Sequence, residues 1–114
     1  AVENIIVNLI TSNFLNEERF AKIYAGGKFR IKKWGRVKIK LELKKRKISD
    51  YCLKKAMKEI DEDDYGKELK KIIAETFKKY KDKKAEVRKY KTDKYAISRG
   101  YESNLVWEEI KKLI

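Results

Sequence analysis

Apolar residues recur at intervals of three and four along nearly the whole chain, and no strand-like alternation persists. That periodicity predicts helices throughout. The organising stretch is residues 28–57, KFRIKKWGRVKIKLELKKRKISDYCLKKAM. Within it, Trp34–Lys47 is predicted as a helix. At about 100° per residue, Trp34, Val37 and Leu41 form one stripe, and Ile39 and Leu43 form a second stripe roughly opposite. Two stripes predict a middle helix packed on two sides.

Taken in order, residues 2–12 place Val2, Ile5, Ile6 and Leu9 on one face of a short amphipathic helix. Asn16 is predicted as the N-cap of a new helix, with Glu17 and Glu18 in its first turn, where a helix favours acids. Phe20, Ile23 and Tyr24 continue its apolar face, and it should run to about Phe29. After the basic helix, Ser49 and Asp50 start another, with Cys52 or Leu53, Ala56, Met57 and Ile60 inward. The acidic run Asp61–Asp64 then reads as a linker and N-cap. Asp64–Tyr80 is the next predicted helix, with a stripe of Tyr65, Leu69, Ile72, Ile73, Thr76, Phe77 and Tyr80. Ala85–Arg99 follows the lysine-rich turn Lys81–Lys84, with Val87, Tyr90 and Ile97 on one side. Gly100 is placed as the glycine that ends it. Glu102–Leu113 closes the chain, with Val106, Ile110 and Leu113 inward.

These elements repeat with a period near 53. Ile48 superposes on Tyr101, Leu53 on Val106, Met57 on Ile110 and Ile60 on Leu113; Arg46 matches Arg99, and Lys47 takes the place of Gly100. The expected fold is all-α: tandem three-helix repeats forming an elongated, curved helical array. Residues 1–13 read as the last helix of a truncated preceding repeat, 14–62 as one three-helix repeat and 63–114 as a second. Position 1 is Ala, as expected of a piece that begins part-way through a longer protein.

Charge changes the picture of what such an array meets. The net charge is +13, and residues 28–58 hold fourteen Lys and Arg against Glu42 and Asp50. A folded basic element of this kind should meet a polyanion or an acidic protein. Arg36, Lys40 and Lys44 fall at i, i+4, i+8 between the two apolar stripes, with Arg30 and Lys33 beside the start of that ridge. These five are the candidate partner-binding residues. The bland alternative is a solvated ridge that only keeps the chain soluble.

Candidate chemistry is sparse. The chain has no histidine, which removes the commonest general base and metal ligand. No phosphate loop or serine-nucleophile pattern is present; Gly26–Gly27 reads as a kink or loop. The acids of Asp61–Asp64 lack metal-ligand spacing. The single Cys52 reads as a small buried side chain. With no disulfide possible within the chain and no apolar run near 18 residues, a cytoplasmic protein that spans no membrane is expected. No catalytic residue, metal or cofactor is expected.

Three short stretches resemble the RecX family of regulatory proteins, bacterial modulators of the RecA recombinase. The first is Phe14-Leu15-Asn16-Glu17-Glu18-Arg19-Phe20-Ala21, similar to the family's hydrophobic pair, acidic cluster and Arg-aromatic-Ala. The second is Ile39 and Glu42-Leu43 followed by a basic residue and Ile48-Ser49. The third is Lys94-Tyr95-Ala96 with Arg99-Gly100-Tyr101. Two departures stand out: Lys47 occupies a position where the family often has Gly, and the first repeat is mostly missing. The resemblance implies a non-enzymatic inhibitor that binds in the groove of the RecA–single-stranded DNA filament. It carries over no catalytic residue. Single-stranded DNA itself is a further expected contact, and a monomer is expected. The competing reading is a direct nucleic-acid-binding helical module of helix-turn-helix type, with Trp34–Lys47 as recognition helix. Its support is the interleaving of Phe29, Trp34, Tyr90, Tyr95 and Tyr101 with the charges.

Overall fold

The computed structural model describes the backbone of residues 2–114 and the side chains of residues 15–114. The described chain is helical, with α1 (Val2–Lys32), α2 (Arg36–Lys45), α3 (Asp50–Met57), α4 (Glu62–Lys79), α5 (Ala85–Ser98) and α6 (Ser103–Lys111). Among the described residues there is no strand. Helices α1, α2 and α3 pack on one another, as do α4, α5 and α6. The two units form an elongated array of 71 × 23 × 20 Å with a radius of gyration of 18.5 Å. A compact chain of this length would measure about 13 Å.

The expected break at Asn16 is absent, because α1 runs through it without interruption. The acids read as a first turn have other uses. Glu18 pairs with Lys22 at 3.2 Å along the helix. Glu17 accepts the Ser49 N–H at 2.6 Å, at the start of α3, which its own Ser49 side chain caps. The stripe expected of Val2, Ile5, Ile6 and Leu9 lies outside the described side chains.

Three helices end in the same way. Lys33, Lys47 and Gly100 all take the left-handed conformation, at φ 60°, 62° and 99°. After each, an apolar or aromatic residue turns back onto the preceding helix: Trp34 N–H to the Lys28 carbonyl, Ile48 to Leu43, Tyr101 to Ala96. This is the left-handed C-terminal cap with its trailing hydrophobic contact. Lys47 therefore adopts the turn of Gly100 despite its side chain, a conformation that costs a non-glycine residue about 1–2 kcal/mol.

The first unit buries Ala21, Ala25 and Phe29 of α1, Ile39 and Leu43 of α2, and Cys52, Leu53 and Ala56 of α3. The two alanines let α3 approach α1 closely. The second buries Tyr65, Leu69, Ile73 and Phe77 of α4, Thr92 and Ala96 of α5, and Tyr101, Val106 and Ile110 at and in α6. Several expectations fail here: Leu113, expected inward, and Phe20 and Ile23, expected on the packed face of α1, are exposed. Val37 and Leu41 are about half exposed, so only the Ile39–Leu43 stripe of α2 is packed, and Trp34 lies in the link before the helix. On α5 the buried face is Thr92–Ala96, while Val87, Tyr90 and Ile97 are exposed. Small residues suit α5 because it lies against both α4 and α6. The Thr92 hydroxyl is satisfied within its own helix, donating to the Arg88 carbonyl at 2.8 Å.

The caps give the first prediction. A Cβ on Gly100 would sit 2.3 Å from the Lys38 Cβ, at a φ that L side chains rarely adopt. Gly100→Ala should cost about 2–4 kcal/mol. Lys47→Gly should leave stability unchanged or raise it by up to about 1 kcal/mol. Denaturant melts of both variants check the pair.

Candidate interaction surface

The surface is organised by the seam between the units. The link Lys33–Gly35 lies directly on the α5–α6 turn. Gly35 N–H donates to the Arg99 carbonyl at 2.8 Å, and Val37 N–H to the Gly100 carbonyl at 2.9 Å. A Cβ on Gly35 would fall 2.3 Å from the Gly100 carbonyl group, so only glycine permits this approach. Arg99 donates back to the Lys32 carbonyl, and the Tyr101 hydroxyl to the Lys33 carbonyl at 3.0 Å. Phe29, Tyr65 and Tyr101 stack in sequence across the seam, with ring centres 5.7 and 5.1 Å apart.

Arg36 closes the seam on one side. Its guanidinium reaches Glu102 at 2.6 Å and Glu62 at 2.8 Å, and lies 4.1 Å over the Tyr65 ring. The Arg36 N–H donates to the Tyr65 hydroxyl, which in turn donates to Glu102 at 2.5 Å. Burial, reinforced by the Glu102 hydrogen bond, pushes the Tyr65 phenol well above its ordinary range. Burial does the same to Tyr101, with the Glu68 charge adding to it. Burial opposes the charge on Arg36, but its bond to Glu102 together with the charges of Glu102, Tyr65 and Glu62 offsets this, and the net shift is upward.

The five sequence-predicted residues do not form one ridge. Arg36 is held in the seam as described, with partners 26, 29 and 66 residues away. Arg30 and Lys33 line a cleft with Phe29, Lys67, Lys71, Asp64 and Glu68, where Lys33 approaches Glu68 at 3.9 Å. Lys40 and Lys44 lie instead on a groove of about 530 Å³ between α2 and α3, with Lys54 and Lys58 on its other wall. Leu53 and Met57 contribute apolar surface to this groove, and Asp50 is its one acid. A second hollow, sharing Lys40, Met57 and Lys58, continues it toward Arg36, Glu62 and Glu102 at the seam. Sequence reasoning missed Lys54 and Lys58. Their i, i+4 spacing on α3 was visible, but not the position of α3 beside α2.

Aromatic residues meet cations on the opposite flank of α2. Phe20, Tyr24 and Trp34 form a row with centres 5.8 and 6.5 Å apart. Lys28 and Lys38 lie 4.9 and 4.4 Å over Trp34, and Arg46 lies 5.1 Å over Tyr24. Among the described residues no group of His, Cys, Asp or Glu is placed to hold a metal ion, and Cys52 is buried. No described helix is long and apolar enough to cross a membrane.

Such a fold, with its lysine-walled groove, defines a basic all-helical repeat protein whose features suit surface recognition. Residues 16–57 match the family described as RecX, second three-helix domain, a span from α1 through α3 that includes every groove residue but Lys58. Over 115 aligned residues the chain is 28% identical to the regulatory protein RecX of Clostridium tetani. That alignment covers 99% of this chain and 50% of the relative, so the chain spans about half the relative's length. No solved structure matches. The chain is thus similar to the RecX family, by a domain match over α1 through α3 and by a 28% identical relative along its length.

The seam and the groove should respond differently to mutation. Arg36→Gln should cost about 1–3 kcal/mol, because it leaves Glu102 part-buried with one partner fewer. Lys40→Gln and Lys44→Gln should each stay within about 0.5 kcal/mol of the parent. Thermal melts separate the two classes.

The tyrosines add a pH dependence. A phenol whose folded pKa is raised contributes its full stability below its unfolded pKa of about 10, and loses that contribution as pH rises through the folded value. Stability should therefore fall above about pH 10, and Tyr65→Phe should flatten the fall. Denaturant melts at rising pH read this directly.

Proposed function

We propose that the chain is a regulator that acts by binding the RecA–single-stranded DNA filament and lowering recombinase activity, in recombination, DNA repair and the SOS response. The observation that carries this reading is the groove between α2 and α3, walled by Lys40, Lys44, Lys54 and Lys58, the first three of which lie inside the residues that match the RecX domain. A net charge of +13 favours an acidic or polyanionic target. An array 71 Å long suits a target with repeated subunits. In this reading the protein works as a cytoplasmic monomer and without a cofactor. The repeats are residues 14–62 and 63–114, and residues 1–13 belong to a preceding one. Arg30 and Lys33 supply a flanking contact from their own cleft, and Arg36 serves by fixing the angle between the two units.

The test is RecA-dependent ATP hydrolysis on single-stranded DNA. The parent chain should inhibit it. Changing Lys40, Lys44, Lys54 and Lys58 together to Gln should raise the concentration needed by about tenfold or more, with an unchanged melting temperature. Inhibition should weaken as salt rises, since lysine contacts to a polyanion release counterions. Unchanged inhibition by the four-Gln variant would remove the groove as the contact. Tight binding to DNA alone, with no effect on the recombinase, would favour the direct nucleic-acid-binding reading.

A further inference from the structure

The outer face of α1 carries a feature that the fold does not use. Ile23 and Ile31 are 67% and 79% exposed, and Phe20 is 44% exposed. They share one helical face with Gly27, which stands four residues from each isoleucine. Gly27 lies inside the helix, where glycine weakens the structure relative to alanine. A Cβ built on it meets nothing within 4 Å. No turn, positive φ or close backbone approach within the chain calls for a glycine there, unlike Gly35 and Gly100. What the missing side chain leaves is a notch of about 210 Å³, lined by Ile23, Tyr24, Gly27, Lys28, Ile31 and Lys32. Gly66 of α4 is equally open, but Glu62, Asp63 and Lys70, one turn away from it, are charged.

The rim of the notch says what would cover it. From residue 19 to 33 the chain has no Asp or Glu; Lys28 and Lys32 line the notch, and Arg19 and Arg30 flank the other side of the stripe. A second copy of this chain would bring cations against cations. An acidic partner would not. The exposed Ile–Gly–Ile stripe with a cationic rim is the negative image of an amphipathic helix with acidic flanks, the helix-in-groove mode of recognition. We propose that this face of α1 docks an acidic amphipathic helix of a partner protein, with one of its apolar side chains seated over Gly27. The site is separate from the lysine groove and does not depend on the filament reading.

The test uses a synthetic helical peptide with leucines on one face and glutamates elsewhere, labelled for fluorescence anisotropy. It is titrated into the parent chain and into Gly27→Leu, Ile31→Ser and Lys83→Gln, the last an exposed residue outside both this face and the lysine groove. Leucine at position 27 fills open space with a better helix former, so this variant should fold with an unchanged or higher melting temperature. It should nonetheless bind the peptide about tenfold or more weakly, as blocking a central anchor does. Ile31→Ser should weaken binding similarly, and Lys83→Gln should bind as the parent does. Four outcomes overturn the proposal: no binding to the parent, equal binding by Gly27→Leu, equal binding of a scrambled peptide of the same composition, or parent self-association that Ile31→Ser abolishes.

Discussion

Two backbones touch at Gly35 and Gly100, and the long shape of this protein depends on that contact. The link before α2 and the turn before α6 approach so closely that neither position has room for a Cβ, and two backbone hydrogen bonds fill the gap. Among the described residues no helix of one unit packs broadly on a helix of the other. The angle between the units is therefore set by a few residues. Arg36 and Glu102 clamp one side, Arg99 ties the turn back to Lys32, and the stacked rings of Phe29, Tyr65 and Tyr101 fill the middle. Among the described residues no buried side-chain nitrogen or oxygen lacks a hydrogen-bond partner, which is what a part-buried ionic cluster requires.

Much of this architecture was legible in the sequence, for identifiable reasons. The 3.6-residue period gave the helical class, and Gly100 ended its helix where a glycine after a periodic stretch predicts. The repeat aligns Lys47 with Gly100, a replacement expected to strain or reshape the turn, yet both residues are left-handed. Local rules failed where the deciding partner is distant. Asn16 has the right type for an N-cap, but α1 continues through it, and Glu17 serves the start of α3, 32 residues on. Val37 and Leu41 have helical spacing, yet spacing alone does not say whether a second partner exists to cover a stripe. Arg36, Lys40 and Lys44 share a spacing too, and tertiary structure separates them: Arg36 enters the seam, while the two lysines join Lys54 and Lys58 across a groove.

That separation divides the basic residues by role. Cations with acidic partners, such as Arg36 and Lys33, belong to the joint and its edges. The cations over aromatic rings, Lys28, Lys38 and Arg46, lie on α1 and α2 beside the row Phe20, Tyr24 and Trp34. The lysines of the α2–α3 groove face its opening with one acid among them, and these suit a partner. A charge count over residues 28–58 merges all three groups. In the second unit the residues equivalent to Gly35 and Arg36 are Arg88 and Lys89, and Arg88 instead lies 3.6 Å over Phe77 and donates to its carbonyl. The two repeats thus share a turn but not a joint, and the glycine contact occurs once among the described residues.

The most direct measurement of this account is amide hydrogen exchange at Gly35 and Val37. Neither amide gets its partner from its own helix; their acceptors are the carbonyls of Arg99 and Gly100. If the seam locks the two units into one body, both amides should exchange as slowly as the core amides of Leu43 and Ile110, through the same global opening. Fast exchange at Gly35 and Val37, with the helices on either side still protected, would contradict it and leave two independent units on a flexible link.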